Sequence, residues 1–238
     1  MLTTLTPTQL ALDLPFEDGD RLEDFLRSPA NAEALDAVLA WPSWPAPALL
    51  LWGPTGCGRT HLARIWARTT GGRLLDGKRL GAAPAALEML GDARSCVIDD
   101  ADAVHDDRVL LHLYNMVAGQ GGHLLLTASQ PLGAWGLQLP DLTSRLKTAW
   151  SCRIDQPDDP LLAALLVKQL QDRQLTVLPG VVAYLATHME RSFAAARRIV
   201  RELDRASLCA RRPITLPLAR AVLASDLAAG EADQPDAG

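Results

Sequence analysis

The stretch GPTGCGRT, residues 53–60, has the residue types and the spacing of a phosphate-binding loop. In such a loop the glycines let the backbone approach phosphate oxygens, and the N–H groups at the start of the following helix bind the anion. Thr60 supplies a hydroxyl of the kind that binds Mg²⁺ beside the phosphates. An ordinary strand-to-helix turn, which uses glycine for its backbone freedom, is the alternative interpretation. The predicted nucleotide-binding residues here are Gly53, Pro54, Thr55, Gly56, Cys57, Gly58, Arg59, Thr60 and His61.

Arg59 stands where the usual pattern, G-x-x-x-x-G-K-[ST], has lysine. A lysine ammonium is a compact point charge that can follow the β- and γ-phosphates, whereas the guanidinium is a bulkier, planar fork of donors. We therefore expect phosphate binding to survive at this loop and turnover to be slow.

A second candidate group lies in CVIDDAD, residues 96–102, where an apolar strand ends in two carboxylates. Ligands of open α/β sheets bind beside the carboxyl ends of the strands. Asp99 is therefore predicted to hold Mg²⁺ directly or through water, and Asp100 to orient an attacking water. A solvated loop after a buried strand also carries aspartates often, but the position downstream of a phosphate loop favours the functional interpretation.

Short apolar runs alternate with helical patterns over the first two thirds of the chain. ALLLW, SCVIDDAD and GHLLLTASQ have the continuous apolar character of strands buried on both faces of a parallel sheet. THLARIWART predicts a helix with Leu62, Ile65 and Trp66 on one side, and residues 21–39 suit helical turns interrupted at Pro29. The alternation predicts a doubly wound α/β domain over residues 21–157.

Only helical patterns follow residue 158. Amphipathic segments at 160–173, 180–190, 193–210 and 216–227 predict a small helical domain over residues 158–227. Residues 1–20, which contain prolines and acidic residues, are predicted to form a flexible tail. The small and acidic residues 228–238 are predicted to be disordered.

Composition limits the partners and the compartment. With 238 residues, a formal net charge of −5 and a pI near 5.5, the chain is expected to bury a substantial core and not to clamp nucleic acid through many phosphate contacts. Its cysteines form no C-x-x-C pair, so we expect reduced core residues at Cys57, Cys96, Cys152 and Cys209. The absence of a signal peptide and of an apolar run of about 18 residues predicts a cytoplasmic protein without membrane association.

These motifs together resemble the DnaA-type branch of the AAA+ ATPases and, within it, the Hda proteins, over about residues 9–223. LWGPTGCGRTHL and VIDDAD resemble the two Walker motifs, and LLLTASQP resembles the sensor 1 strand and turn, with Ser129 where relatives often carry Asp. LPDLTSRL is similar to the segment that bears the arginine finger, which makes Arg145 the candidate. LDRASL and RPITLPLARAVL resemble the lid helices. The resemblance implies an AAA+ P-loop fold with a C-terminal helical lid that binds ADP or ATP with Mg²⁺.

Two arginine positions of the family are informative. The resemblance implies that Arg145 acts in trans, since an arginine finger stabilises charge on a phosphoryl group held by a partner subunit. The family's sensor 2 arginine is absent, because Ala194 takes its place in RSFAAARRIV. Arg197 or Arg198 lies about one turn later and is a candidate replacement, although an exposed basic helix face that includes Arg201 is the favoured interpretation.

QLALDL, Gln9 to Leu14, resembles the short peptide with which many bacterial proteins bind the DNA polymerase sliding clamp, and Hda proteins carry one at this end. An extended segment would project Leu10, Leu12 and Leu14 at period two into an apolar groove, with the Gln9 amide at its rim. A short strand packed on the domain would explain the same alternation.

Two classes of function follow from these expectations. In the first, the chain is a regulatory adaptor that binds a nucleotide, docks on the sliding clamp (the beta subunit of DNA polymerase III) and presents Arg145 to ATP held by DnaA. Hydrolysis of that ATP represses re-initiation of chromosome replication. In the second, the chain is an autonomous AAA+ ATPase such as a DnaC-like helicase loader. Arg59, the QLALDL segment and the missing sensor 2 arginine favour the adaptor.

The expected partners are accordingly DnaA and the clamp, and a homodimer is compatible with either function. DnaA carries a helix-turn-helix domain after its lid, whereas this sequence reaches an acidic tail there. Direct sequence-specific DNA binding is therefore not expected.

Overall fold

The computed structural model describes residues 21–81, 88–210 and 213–232, and of these residues 209, 210 and 227–232 are described by their backbone alone. The predicted clamp-binding residues Gln9, Leu10, Leu12 and Leu14 lie outside the described residues.

In the described part of the chain, five parallel strands form a sheet in the order β2-β3-β4-β1-β5. The strands are β1 (Ala48–Trp52), β2 (Arg73–Asp76), β3 (Ser95–Asp99), β4 (His123–Ala128) and β5 (Trp150–Arg153). β1 pairs with β4 and β5, and β3 pairs with β2 and β4. Because the strands all run in the same direction, their carboxyl ends meet at one edge of the sheet.

Helices cover both faces of this sheet. Along β1, Leu49 and Leu51 belong to one buried cluster, and Ala48 and Leu50 belong to the other. Helices α1 (Ala32–Leu39) and α2 (Arg59–Thr70) contribute to the first cluster, and α3 (Asp107–Gly119) and α4 (Pro140–Lys147) contribute to the second. A strand buried on both faces needs apolar side chains at every position, which explains the run ALLLW. The predicted doubly wound α/β arrangement is confirmed.

The first helical layer also matches the sequence pattern. Leu62, Ile65 and Trp66 of α2 are all buried, as their spacing predicted. Before Pro29, the predicted helical turns are limited to one 3-10 turn, Leu22–Asp24. After Pro29, the chain forms the separate α-helix α1.

Four helices form the C-terminal lid around a separate core. They are α5 (Asp159–Asp172), α6 (Val181–His188), α7 (Phe193–Ala210) and α8 (Leu216–Ala232). Their shared core contains Leu162, Leu166, Ile199 and Leu203, all fully buried. Helix α5 begins where the Asp158 carboxylate accepts a hydrogen bond from the Leu161 N–H group. Helix α8, which the sequence pattern ended at residue 227, continues to Ala232.

Three of the four cysteines are buried and free in the described structure: Cys57, Cys96 and Cys152. Burial raises the pKa of Cys96 to about 12, and burial together with the nearby Glu33 carboxylate raises the pKa of Cys152 to about 12. The described cysteines are therefore free core residues, as the sequence predicted, and the raised pKa values keep Cys96 and Cys152 protonated. None of the described helices is both long and apolar enough to cross a membrane.

Candidate functional site

The phosphate loop lies between β1 and α2, and its glycines are required by close contacts. A Cβ atom at Gly53 would overlap the carbonyl oxygen of Ile154, and Gly56 and Gly58 have φ angles of 82° and 98°. Residues with a Cβ atom are strained in such left-handed conformations, whereas glycine adopts them freely. The loop conformation therefore follows from the glycine positions in GPTGCGRT.

A cavity of about 690 Å³ opens at this loop, on the edge of the sheet where the strands end. The phosphate loop and the start of α2 form one wall, and the ends of β3 and β4 form the opposite wall. The predicted site residues that line the cavity are Thr55, Gly56, Gly58, Arg59, Thr60, His61, Asp100 and Ser129. Residues that the sequence did not assign to the site also line it: Arg64, Lys78, Asp102, Ala103, Gln130, Ala134 and Trp135. Asp102 and Gln130 lie within CVIDDAD and LLLTASQP, but the sequence predicted no role for them, and the packing of the chain brings all of these side chains to the cavity.

Arg59 is the first residue of α2 and is 8% exposed. Its Nη1 nitrogen is buried and has no hydrogen-bond partner in the described structure. A buried donor without an acceptor costs about 1–3 kcal/mol, and more when it is charged. An anion in the cavity would satisfy this donor, so the residues present fit a phosphate group. Burial raises the pKa of the neighbouring Cys57 thiol, although the charge of Arg59 opposes the shift.

The segment that precedes α1 packs against the phosphate loop. A Cβ atom at Gly58 would lie 2.9 Å from the Phe25 ring, and that ring packs edge-on against His61 at a centroid distance of 5.7 Å. Nε2 of His61 lies 3.2 Å from the carbonyl oxygen of Arg21. These contacts place His61 at the rim of the cavity beside the loop, where the sequence predicted it.

Asp99 lies at the centre of a cluster of hydroxyl groups. Thr60 donates to Oδ2 of Asp99 at 2.9 Å, and Thr127 donates to Oδ1 at 2.5 Å. Thr127 is fully buried, and its oxygen also accepts the N–H group of Asp100 at 2.9 Å. The sequence analysis missed Thr127. The pairing of β3 with β4 explains why Thr127 lies here. Ile98 is in register with Leu126, so the residues that follow them, Asp99 and Thr127, are neighbours.

The geometry around Asp99 is compatible with Mg²⁺. Among the described residues, no group of three or more His, Cys, Asp or Glu side chains is placed to hold a metal ion. Magnesium beside a phosphate does not need such a group, because it keeps several waters and uses one or two protein oxygens together with the phosphates. Thr60 and Asp99 supply two such oxygens on one side of the phosphate loop.

Asp100 is held by a cation from the turn that follows the neighbouring strand β2. Its carboxylate Oδ2 accepts a hydrogen bond from Nζ of Lys78 at 2.5 Å, and this bond raises the pKa of Lys78. Asp100 itself has a left-handed backbone with a φ of 54°. The sequence predicted Asp100 as a water-orienting group, but it did not indicate that a lysine would contact it.

Ser129 has a partner of its own at the end of β4. Its N–H group donates to Oδ2 of Asp102 at 2.8 Å, and its hydroxyl donates to the same oxygen. Ser129 therefore lies at the cavity, where the family resemblance located sensor 1, with its hydroxyl bound to a side chain of this chain.

The lid reaches the phosphate loop through the start of α7. A Cβ atom at Gly56 would lie 3.1 Å from Cβ of Phe193, the first residue of that helix. Arg197, one turn further along, is exposed as favoured from the sequence, and it lines the cavity. Arg198 points elsewhere, since it forms an ion pair with Asp226 on α8. The two arginines that the sequence left as alternatives are thus in different environments.

Arg145 lies on α4 and does not line the cavity described above. Its Nε donates to Asp141 at 3.1 Å, and its guanidinium carbon lies 5.8 Å from the centre of the buried Tyr114 ring. The Arg145 side chain is 42% exposed. Its charge is consequently presented on the surface and outside the cavity at the phosphate loop.

This chain was compared with protein-family models and with solved structures. Residues 159–223, which span α5 to the first half of α8, match the family model of the Hda lid domain. Domain III of the Thermotoga maritima replication initiation protein DnaA superposes with a TM-score of 0.73 at 17% identity, covering 89% of this chain and 98% of that one. AMPPCP-bound DnaA from Aquifex aeolicus gives 0.61 at 16% identity, with 75% of this chain and 63% of that one covered. The Thermotoga maritima RuvB branch migration motor gives 0.70 at 17% identity over 87% and 72%.

A parallel five-stranded sheet with a C-terminal helical lid gives this chain an AAA+ fold like that of DnaA domain III. Within that class, its lid is an Hda lid domain, which confirms the resemblance to the Hda proteins inferred from the sequence.

Replacing Thr127 by valine tests the hydroxyl cluster. We expect Thr127→Val to lower the free energy of unfolding by about 1–3 kcal/mol, because the shape is kept while the Asp100 N–H group loses its acceptor. Thr69→Val is the matched control, since the exposed Thr69 hydroxyl only bonds the helix carbonyl of Ile65. Urea denaturation measures both variants. Equal stability of Thr127→Val and wild type would contradict a structural role for this hydroxyl.

Proposed function

We propose that this chain is a regulatory adaptor that inactivates DnaA. It binds ADP or ATP with Mg²⁺, docks on the sliding clamp, and supplies Arg145 to ATP bound by DnaA. The observation that carries the proposal is the separation of two groups. The cavity at the phosphate loop has the donors to hold a nucleotide, whereas Arg145 lies on the surface outside it.

The cavity supports nucleotide binding through its donors. The Arg59 Nη1 donor lacks a partner among the described residues, and the first N–H groups of the twelve-residue helix α2 face the phosphate loop. Thr60 and Asp99 would hold Mg²⁺, which neutralises phosphate charge when it is bound. A solved DnaA from Aquifex aeolicus contains the ATP analogue AMPPCP, and this chain shares its fold. An adenine nucleotide is therefore the ligand that we assign to the cavity.

Arg145 has the properties of a group that acts on a partner. An arginine finger must place a guanidinium at the phosphate of another subunit, so it has to be accessible and pre-oriented. Asp141 lies one helical turn before Arg145, and Tyr114 underlies its guanidinium. These contacts restrict the side chain without removing it from solvent. The Hda-type lid supports DnaA as the partner whose ATP is hydrolysed.

An autonomous ATPase is the second candidate function, and one observation favours it. Arg197 lines the cavity from the lid and is positioned to contact a phosphate, in the manner expected of a replacement for the missing sensor 2 arginine. Multiple-turnover hydrolysis by the purified chain alone would identify this function. Slow turnover alone and fast hydrolysis with DnaA and clamp on DNA would identify the adaptor.

Removing the Arg59 charge should weaken nucleotide binding. Isothermal titration calorimetry should show ADP binding to wild type, and Arg59→Met should lower the affinity about 10- to 100-fold because a charge-assisted hydrogen bond is worth about 1.5–3 kcal/mol. Arg68→Met, on the exposed last turn of the same helix, is the matched control and should bind normally. If folded wild-type protein binds neither ADP nor ATP, the nucleotide assignment is wrong.

Removing the Arg145 guanidinium should abolish stimulation of DnaA while nucleotide and clamp binding remain. We expect Arg145→Ala to slow hydrolysis of ATP preloaded on DnaA by a factor of about 10³ or more, and Arg145→Lys to restore little, because a point charge does not reproduce the guanidinium fork. Single-turnover hydrolysis of labelled ATP with clamp on DNA measures this rate.

Arg153→Ala is a matched control for this experiment. Arg153 is also a surface arginine that is paired with an aspartate, Asp155, and placed over an aromatic ring, that of Trp52. Undiminished stimulation by Arg145→Ala would remove this residue from the mechanism. A loss of nucleotide binding in the same variant would indicate a structural role instead.

The clamp assignment rests on the QLALDL sequence and has its own test. Changing Gln9, Leu10 and Leu14 to alanine should abolish clamp binding and leave the melting temperature unchanged, because a docking peptide contributes to the interface and not to the core. Changing Leu2, Leu5 and Thr8 to alanine in the same tail is the control. Surface plasmon resonance on immobilised clamp measures both. A drop in melting temperature with the first set would favour a strand packed on the domain.

A further inference from the structure

Helix α7 carries two exposed arginines, one helical turn apart, on the part of the lid that reaches the phosphate loop. Arg197 lines the cavity, and Arg201 lies one turn further along the same helix face without lining it. The next position on this face, Arg205, is paired with Glu202. Arg197 and Arg201, here called the lid strip, therefore continue the cations of the cavity onto the surface of the lid.

Helix α8 returns along α7 toward the phosphate loop. The two helices are joined by the short connection 211–215, and Asp226 of α8 forms an ion pair with Arg198 near the start of α7, so the helices are antiparallel neighbours. At a rise of about 1.5 Å per residue, Ala232 lies about 9 Å beyond Asp226, and α7 begins about 7.5 Å before Arg198. The end of α8 is therefore at about the same height as Phe193, which packs on the phosphate loop.

The sequence after α8 is acidic. Residues 233–238, DQPDAG, lie outside the described residues and contain two aspartates and no basic residue. Six residues span at most about 20 Å, which is enough to pass from the end of α8 to the neighbouring face of α7. The carboxyl end of a helix is the negative end of its dipole, so a carboxylate beside it needs a nearby cation. The last turn of α8, AGEA, supplies none in its sequence, whereas α7 carries the lid strip.

We propose that residues 233–238 dock on the lid strip and compete with the nucleotide for the lid side of the cavity. Asp233 and Asp236 pair with Arg197 and Arg201, and a carboxylate then takes the place of a phosphate at Arg197. The inference rests on the proposed nucleotide binding and adds a regulation to it, because the acidic segment lowers the affinity for nucleotide and is displaced when nucleotide binds.

The size of the competition follows from the kind of contact. Two ligands that exclude each other at one group weaken each other by the same factor. An ion pair between exposed side chains has a small binding free energy, and salt screens it. The segment is therefore expected to reduce the affinity by a modest factor that decreases with rising ionic strength.

The central experiment removes the acidic charges and measures ADP binding by calorimetry on the full chain at low salt. We expect Asp233→Asn/Asp236→Asn to bind ADP about three- to tenfold more tightly than wild type, because two exposed ion pairs are lost from the competing state. The gain should disappear at high salt. Glu88→Gln/Asp92→Asn is the matched control, since it removes the same charge at exposed side chains that do not line the cavity, and it should bind ADP like wild type.

Arg201→Met distinguishes docking of the segment from a general effect of charge. If only the overall field mattered, removing a cation near an anion site would weaken ADP binding. We expect Arg201→Met to bind ADP about twofold more tightly or better, because Arg201 holds the acidic segment and does not line the cavity. In the Asp233→Asn/Asp236→Asn background, the same change should give no further gain.

The docking also has a readout that does not depend on nucleotide. The ¹⁵N–¹H nuclear Overhauser effects of the Gln234 and Asp236 amides report motion on the ps–ns timescale. In nucleotide-free wild type they should resemble those of the lid helices. Arg197→Met/Arg201→Met, or saturating ADP on wild type, should lower them to the values of a mobile chain.

Values of a mobile chain in nucleotide-free wild type would overturn the inference. Equal ADP affinity of wild type and Asp233→Asn/Asp236→Asn, or weaker binding by Arg201→Met, would also overturn it. If wild type binds neither ADP nor ATP, the nucleotide proposal fails and the competition fails with it, and the amide measurements then decide the docking alone. Normal ADP binding that is insensitive to the acidic charges refutes the competition and leaves the proposed function intact.

Discussion

The buried hydroxyl of Thr127 joins the parts of the site that the chain keeps far apart in sequence. It donates to the Asp99 carboxylate and accepts the Asp100 N–H group, while Thr60 donates to the same carboxylate from the phosphate loop. Three strand ends are connected in this way: β1 through its loop, β3 through its aspartates and β4 through Thr127. The cluster depends on the parallel direction of these strands, because parallel strands have their carboxyl ends at the same edge of the sheet.

Most of the polar groups described at this edge of the sheet are hydrogen-bonded to one another. Asp100 is bound by Lys78, and Ser129 is bound by Asp102. Arg59 is the exception, because its buried Nη1 has no acceptor in the described structure. The site therefore has an unsatisfied buried cation that would bind an anion, whereas Asp100, its candidate hydrolytic group, is already engaged by Lys78. This asymmetry is the physical basis for separating nucleotide binding from nucleotide hydrolysis in the proposed function.

The lid connects to the site through one helix end and one side chain. Phe193 packs on the phosphate loop at Gly56, and Arg197 lines the cavity from the same helix. The adjacent Arg198 is used instead to join α7 to α8 through Asp226. On the first domain, Arg145 is held on the surface by Asp141 and Tyr114. The charges that would serve this chain's nucleotide and a partner's nucleotide thus lie on different parts of the fold.

Local sequence patterns predicted three of the five described strands and the phosphate loop, whereas the short edge strands β2 and β5 were not predicted. The runs ALLLW, SCVID and HLLLTA are apolar at nearly every position because parallel strands are covered on both faces, and the glycines of GPTGCGRT are needed by close backbone contacts. Amphipathic periodicity also predicted the helical domain, and the family resemblance identified it as a lid, which the match over residues 159–223 confirms. These features depend on residues close together in the chain, and periodicity and spacing report such features directly.

Only the tertiary structure decided which side chains complete the site. The sequence assigned no role to Thr127 and Asp102, although both lie in quoted motifs, nor to Lys78. They reach Asp99, Asp100 and Ser129 because strand order and register make distant residues neighbours. The choice between Arg197 and Arg198 was likewise open, since the two are adjacent in sequence and a helix turns about 100° per residue, so one faces the cavity and the other faces α8. A linear pattern identifies a residue's type and its own element, whereas its partner across the sheet or the lid depends on the packing of the whole chain.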